Sequence, residues 1–469
     1  MSQGTDQASN TGDAFVSQTA AVVNDRKWLA TTSGKQWLGL VGILIFSFGA
    51  LAGVGIANIG IASIVLALIW AWREVSRVLF KQPLFWLGLL QVSYLLLHGS
   101  IAEINQPPWM AAVPEGISRT IRISAWPALA VALGLSLIGP VQWRYLWRWL
   151  PTLVAAGMFA RIFSRWEPGM WDRFVAGTKL PTFGDSHINF AMWMVVSLIG
   201  LACALPWFYL RPRHRFVWIV GLLVLLTMTV FGSALLVLSI SRAAWLVGAA
   251  LLPAVVIALL YVYRQKIHRP AMAGLCSALF LVALVTPPLG FYQAITQRWA
   301  QESETITHMV TGDWHEAELN SLGMRLYMYR EGWQYWQEHP VLGWGPRSAP
   351  FLLSQVDEPT VAKQGFKSFH NGYLTMMVEY GVVGLALLVI QFGGLLWVGV
   401  QGIKNQRTDE RVGVFALGAL ATIILNGVSG GVFGGYRGPY LMALVGGLLY
   451  AWRLGSISER VDSLPPAQA

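Results

Sequence analysis

The sequence predicts an all-α, polytopic integral membrane protein of about twelve transmembrane helices, each built on a run near the ~20 apolar residues that cross a bilayer. Three observations point there. Hydrophobic residues make up 55% of the 469-residue chain and charged residues only 12%, against about 25% charged in a soluble domain. The chain holds 23 Trp, a residue that collects in the belts at membrane–water interfaces. The basic residues fall in clusters between alternate apolar runs, as the positive-inside rule requires of a multi-pass chain.

Residues 1–36 read as a disordered cytoplasmic tail, rich in Ser, Thr, Gln and Ala. The tail lacks the basic start and apolar middle of a cleaved signal peptide, so the first span must direct insertion. Residues 37–292 then carry the expected spans Trp37–Ile56, Ile59–Trp72, Leu84–His98, Ile123–Gly139, Trp147–Phe163, Ile188–Leu210, Phe216–Ile240, Ala243–Val262 and Ala271–Tyr292. Residues 293–370 form a polar interruption, expected to be a helical segment on the outer face between spans 9 and 10. Residues 371–453 add Tyr373–Val400, Val412–Val432 and Gly438–Trp452, and residues 454–469 form a short cytoplasmic tail. No internal repeat of the kind that marks transporters stands out.

Orientation follows from Arg73/Arg77/Lys81, Arg144/Arg148, Arg211/Arg213/Arg215, Arg264/Lys266/Arg269 and Lys404/Arg407/Arg411. With both termini cytoplasmic, all five clusters lie on the cytoplasmic side. The net charge of +10 is accounted for by this bias, and nucleic-acid binding is not needed to explain it. Cys203 and Cys276 both sit in apolar runs, which implies no disulfide framework. The opposite face receives the long segment and the loops Ser100–Arg122 and Ser164–His187, so chemistry that needs walls outside the membrane is expected there.

Within the long segment, Leu326, Tyr329, Trp333 and Trp336 recur at helical spacing. The predicted helix stops at Pro340, and Gly343 and Gly345 predict a turn after it. Such a helix lies on the membrane surface or caps a cavity.

The residues fit for chemistry are few. Arg242 stands in Ser239-Ile240-Ser241-Arg242, a tight turn between two apolar runs, and Arg161 closes another run with Arg165 one turn beyond. An arginine at membrane depth costs about 2.5–3.5 kcal/mol on insertion scales unless it snorkels or lines a wet cavity. Snorkelling and function both remain open for Arg161. A guanidinium fork can grip the oxyanions of a diphosphate and stays charged at any physiological pH. Arg325 and Arg330 are five residues apart, which turns them about 140° from each other on a helix. Only one can face a given phosphate, leaving the other to pair with a neighbour such as Glu331. The carboxylate pairs Glu302/Glu304 and Glu316/Glu318 read as a solvated face, so no metal and no other cofactor is expected.

His370 stands at the mouth of a span in Phe369-His370-Asn371-Gly372-Tyr373. Its ordinary pKa near 6.5 suits removal of a proton from a hydroxyl. Asn371 can cap the helix that follows. Glu379 lies two turns deeper, too far to touch His370, and reads equally as an orienting group or a packing residue. His98, His187, His308, His315 and His339 have no comparable setting.

Three stretches, Ser239–Arg242, Gly323-Met324-Arg325 through Pro340-Val341-Leu342-Gly343-Trp344-Gly345, and His370–Tyr373 through Glu379-Tyr380-Gly381-Val382-Val383-Gly384, resemble the O-antigen ligase and polymerase superfamily of bacterial membrane glycosyltransferases. The resemblance covers the centre and last third of the chain. It implies a GT-C-like membrane enzyme of the Gram-negative inner membrane with a periplasmic active site. Its donor would be an undecaprenyl-diphosphate-linked glycan. The acceptor would be lipid A-core in a ligase, a second lipid-linked repeat in a polymerase, or a protein hydroxyl in an oligosaccharyltransferase. Arg242, Arg325 and His370 match the positions the family treats as essential, which implies inverting, metal-independent transfer in lipopolysaccharide biosynthesis. Arg161 and Arg165 are added as diphosphate ligands and Asn371, Glu379 and Arg330 as supporting residues. Membrane lipids are the other expected partners. One compact outer segment favours the ligase branch, and a non-enzymatic lipid transporter or flippase is the alternative of another class.

Overall fold

A computed structural model describes residues 34–104, 108–109, 114, 126–137, 147–175, 183, 186–210, 215–239, 241–263, 320–404, 410–430 and 437–462, with scattered positions between 296 and 311. The tail before residue 34, the expected span Ala271–Tyr292, the pairs Glu302/Glu304 and Glu316/Glu318, and the tail beyond residue 462 lie outside the described residues.

The described residues are helical throughout, with no strand among them. In chain order the helices are α1 (Gly34–Ala52), α2 (Val54–Trp70), α3 (Trp72–Leu79), α4 (Pro83–Ile104), α5 (Trp126–Leu137), α6 (Leu150–Ser164), α7 (Met170–Val175), α8 (His187–Leu210), α9 (Arg215–Leu238) and α10 (Arg242–Tyr263). They continue with α11 (Ser321–Glu338), α12 (Ser348–Ser354), α13 (Pro359–Lys363), α14 (Gly372–Lys404), α15 (Glu410–Gly427) and α16 (Arg437–Asp462). Every expected span other than Ala271–Tyr292 overlaps a described helix, and Trp37–Ile56 runs across the break at Gly53 between α1 and α2. By length and composition, 7 of the described helices can cross a membrane: α1, α4, α8, α9, α10, α14 and α15. The shorter apolar helices α2, α5 and α6 pack among them.

The bundle has a centre and a rim. Of the apolar window of α8, 78% is buried, and of that of α15, 72%, against 28% for α9 and 33% for α10. A membrane helix hidden from lipid is central, so α8 and α15 form the axis and α9 and α10 present Ile219, Leu223, Val224, Leu246 and Ile257 outward. Polar side chains join helices across the interior, as amide and hydroxyl groups do where no water competes. Gln391 of α14 donates to Gln91 of α4, and Tyr450 of α16 donates to Gln82, just before α4, at 3.1 Å.

The helix order fixes which ends lie together. A side chain built at Gly430, just past α15, would meet Ile188 at the start of α8, and one built at Gly427 would meet the Tyr373 ring at the start of α14. Tyr373 Oη also donates to the Ile424 carbonyl at 2.7 Å. The starts of α8 and α14 and the close of α15 therefore share one end of the bundle. The α9–α10 turn returns to that end, because α8 runs away from it and α9 runs back.

Residues 321–370 fold over α14 as a small helical layer with its own core. Met328, Ala349, Leu352, Leu353, Val356, Val361 and Phe369 pack onto Leu374 and Val378 of α14. Of the apolar stripe on α11, Tyr329 and Trp336 pack against this core and Trp333 does not. The buried residues of α11 are Gly323, Met328 and Gly332, while Trp333 is 49% exposed. Gly332 decides this, since a Cβ there would lie 2.9 Å from both Leu374 and Phe369. Absence of a side chain lets α11 approach closely, a signal that hydrophobic periodicity does not carry.

Candidate functional site

The site grows from the cap of α11. Asn320 Oδ1 accepts from the backbone N–H groups of Leu322 and Gly323 at 3.0 and 3.1 Å, which starts the helix. One turn on, Arg325 lies near enough to His370 for its charge to lower the imidazole pKa. A further turn along, Tyr329 donates its hydroxyl to the His370 carbonyl at 3.2 Å. Arg330 faces elsewhere and forms an ion pair with Glu331 at 3.0 Å, with its guanidinium over the Tyr327 ring. Helical geometry separates the two arginines as their spacing predicts.

His370 is held from both sides. Before it, Phe369 is fully buried in the small core and its N–H donates to Thr375 Oγ1 at 3.2 Å. After it, Asn371 Oδ1 accepts from Tyr373 and Leu374 N–H at 3.0 and 3.1 Å and caps α14. Between these anchors His370 takes a left-handed backbone, φ 54°. Such a conformation is uncommon outside glycine and tends to mark sites where the surroundings over-determine the chain. The Phe366 ring packs edge-on against the imidazole at 5.3 Å. Burial lowers the His370 pKa from its ordinary value, and the Arg325 charge lowers it further. Both favour the neutral imidazole, which is the form that can accept a proton.

The backbone of Glu379 and the glycine turn meet at a break in α14. Helix α14 is broken at Gly381, whose φ of 62° and ψ of −169° leave the helical region. The turn after α11 mends the break. Trp344 and Gly345 N–H donate to the Val378 and Glu379 carbonyls at 2.8 and 3.0 Å, and Val382 N–H donates to the Pro340 carbonyl at 2.9 Å. Tyr94 of α4 donates to the Tyr380 carbonyl at 2.8 Å, and His98 meets the Glu379 carbonyl at 3.2 Å. Unpaired backbone groups are costly within a bilayer, so a broken helix survives only where such partners take them up. The two backbones nearly touch: a Cβ on Gly381 would fall 2.0 Å from the Val341 carbonyl oxygen, and one on Gly343, 2.6 Å from the backbone of Tyr380. Glu379 itself is buried, two turns below His370. His98, passed over in the sequence, is part of this brace. Its acceptor lies 281 residues away, and no local pattern announces it.

The other arginines gather at the same end. Ser239 Oγ and Trp245 Nε1 both donate to the Leu236 carbonyl, closing the α9–α10 turn and placing Arg242 as the first residue of α10. Arg161 does not snorkel. It is 1% exposed, and its Nε donates to the Phe183 carbonyl at 3.0 Å with Nη2 on the same oxygen. Arg165 Nη1 joins that oxygen at 2.7 Å. Two guanidiniums thus converge on a carbonyl just before α8, with Phe183 also left-handed at φ 51°.

Residues 227–389 match the family model described as O-antigen ligase. The matched stretch is similar to the O-antigen ligase domain and makes up about a third of the chain. It includes Arg242, Arg325, Arg330, His370, Asn371 and Glu379, while Arg161 and Arg165 precede it. Alongside this similarity, the described residues include 7 helices long and apolar enough to cross a membrane. The chain is also 28% identical over 235 residues to an uncharacterized protein of Haemophilus influenzae. That match covers 47% of this chain, and the chain spans about half of the relative, 53%.

Proposed function

We propose that this protein is an O-antigen ligase that transfers a glycan from undecaprenyl diphosphate to lipid A-core at the periplasmic face of the inner membrane. The observation that carries this reading is His370, held in a left-handed backbone between the Phe369 anchor and the Asn371 cap, inside the stretch that matches the O-antigen ligase family. His370 takes the proton from the acceptor hydroxyl. The acceptor oxygen forms a new bond to the anomeric carbon of the donor glycan, and the bond from that carbon to the diphosphate oxygen breaks with inversion. The electron pair leaves with the diphosphate, whose growing charge is met by Arg325 and Arg242. The arriving anion also relieves the repulsion between Arg325 and a protonated imidazole, so donor binding raises the basicity of His370 when it is needed. Arg161 and Arg165 supply a second cationic pair at the same end, suited to the lipid-proximal part of the diphosphate. Tyr329 and Asn371 act as positioning residues through the His370 backbone.

The test is to incubate the purified protein with lipid-linked O-antigen and lipid A-core and to follow products by gel migration. Ligation shifts the lipid A-core band by the mass of the glycan. Lengthening of the lipid-linked species with an unchanged lipid A-core band would instead identify a polymerase. Movement of the donor across a bilayer without any new glycosidic product would identify a transporter.

A further inference from the structure

At the end of the bundle opposite His370, a cavity of about 490 Å³ runs between α6, α8 and α9. Its wall follows one face of α6 through Thr152, Ala156, Phe159, Ala160 and Phe163, and continues over Leu201 and Ala204 of α8 and Val224, Leu225 and Met228 of α9. From Thr152 to Phe163 this face is about 16 Å long at ~1.5 Å per residue. That is close to half of the ~30 Å hydrocarbon core, the depth of one leaflet. The groove opens sideways to lipid, since Ala156 is exposed and Phe163 and Val224 are 52% and 55% exposed.

Its polar groups are gathered at one end. Arg148 and Arg411 line the cavity there, and the other described lining residues are apolar apart from Thr152. Arg411, the second residue of α15 after Glu410, is 4% exposed, which puts a guanidinium at the inner edge of the cavity. Trp149 beside Arg148 is 39% exposed, at the level where interfacial tryptophans sit. Helix α14 runs from His370 to Lys404 before α15 begins at Glu410, so this mouth lies across the membrane from the proposed active site. Arg161 and Arg165 belong to the other end of α6 and do not line the groove.

We infer that the groove binds one anionic phospholipid of the leaflet opposite the active site, with an acyl chain along α6 and its phosphate between Arg148 and Arg411. A leaflet-deep apolar slot fixes a chain, and two guanidiniums at its headgroup end select negative charge. The inference does not depend on the glycosyltransferase reading.

Full-length protein in a mild detergent is titrated with phosphatidylglycerol, and separately with phosphatidylcholine, and bound lipid is counted by native mass spectrometry. Phosphatidylglycerol should bind as a single high-affinity adduct, with phosphatidylcholine at least tenfold weaker, roughly the selectivity expected from two basic side chains at a headgroup. Arg148→Gln should weaken the phosphatidylglycerol adduct about 5-fold and the double variant with Arg411→Gln about 25-fold. Ala156→Trp keeps both arginines and fills the groove, and it should remove the adduct. Inorganic phosphate at the same concentration should not displace it, because a free anion lacks the chain. If Arg411→Gln compromises folding, Arg148→Gln and Ala156→Trp still decide the matter. Equal binding of the two lipids, an unchanged adduct in Ala156→Trp, or displacement by inorganic phosphate would each overturn the assignment.

Discussion

Replacing Gly381 with Ala attacks the brace that holds the active-site layer on α14. Two costs follow from the geometry. The residue sits at φ 62°, ψ −169°, a region essentially confined to glycine, where an L side chain costs about 1–2 kcal/mol. Its Cβ would also lie 2.0 Å from the Val341 carbonyl oxygen and 2.2 Å from its carbon, so the turn 340–345 must move away. That movement breaks the bonds from Trp344, Gly345 and Val382 to their partners across the break, each worth about 1 kcal/mol net. The sum is roughly 4–5 kcal/mol of local stability, or about 10³-fold in the opening equilibrium read by hydrogen exchange. Amide exchange at Trp344, Gly345 and Val382, followed by mass spectrometry of the detergent-solubilised protein, measures this directly. Gly365→Ala is the matched control, because Gly365 has φ 63° with nothing within 4 Å of a built Cβ. It should cost the backbone strain alone and leave those three amides protected. If Gly381→Ala and Gly365→Ala give the same protection at Trp344 and Gly345, the close approach of the two backbones is wrong.

Asn371→Ala removes the acceptor for Tyr373 and Leu374 N–H and should cost about 1 kcal/mol of local stability, largely restored by Asp, as seen in thermal unfolding of the purified variants. Arg325→Ala should lower transfer by about 3 kcal/mol of transition-state stabilisation, with Lys a poor substitute because it lacks the fork. Arg330→Ala should change turnover little, since its exposed pair with Glu331 is worth about 0–1 kcal/mol. The His370 imidazole, followed by NMR, should titrate below its ordinary value near 6.5. Arg325→Gln should move that titration upward, because a neighbouring cation disfavours the imidazolium. The sign for stability follows: the unfolded chain takes the proton first, so the fold loses stability as pH falls through about 6.5 toward the lower folded value. An imidazole titrating at or above 6.5 would contradict the buried, cation-flanked setting.

Much of this architecture is written locally and so was readable in the chain. The apolar runs, the tight turn before Arg242, the Asn371 cap and the divergence of Arg325 from Arg330 all depend on residues within a turn or two of one another. What escaped depends on backbone meeting backbone over long separations. The mutual repair of α14 and the turn 340–345 uses carbonyl and amide groups common to every residue, so Pro340–Gly345 and Glu379–Gly381 could be seen as motifs but not as partners. Gly332 hid part of the packing face of α11 because it contributes nothing to hydrophobic periodicity. The Phe183 carbonyl that gathers Arg161 and Arg165 has no side-chain signature, and His98 finds its acceptor on a helix far along the chain.

The central claim is that His370 acts on the acceptor while the arginines hold the donor. The most direct test measures turnover and affinity for the lipid-linked donor side by side in purified His370→Gln. Gln preserves a hydrogen-bonding side chain but cannot take up the proton, so transfer should fall by about 10²- to 10⁴-fold while donor affinity stays near that of the unaltered protein. Near-normal turnover in His370→Gln would contradict the account, and lost donor binding in a folded variant would place His370 in the diphosphate site instead.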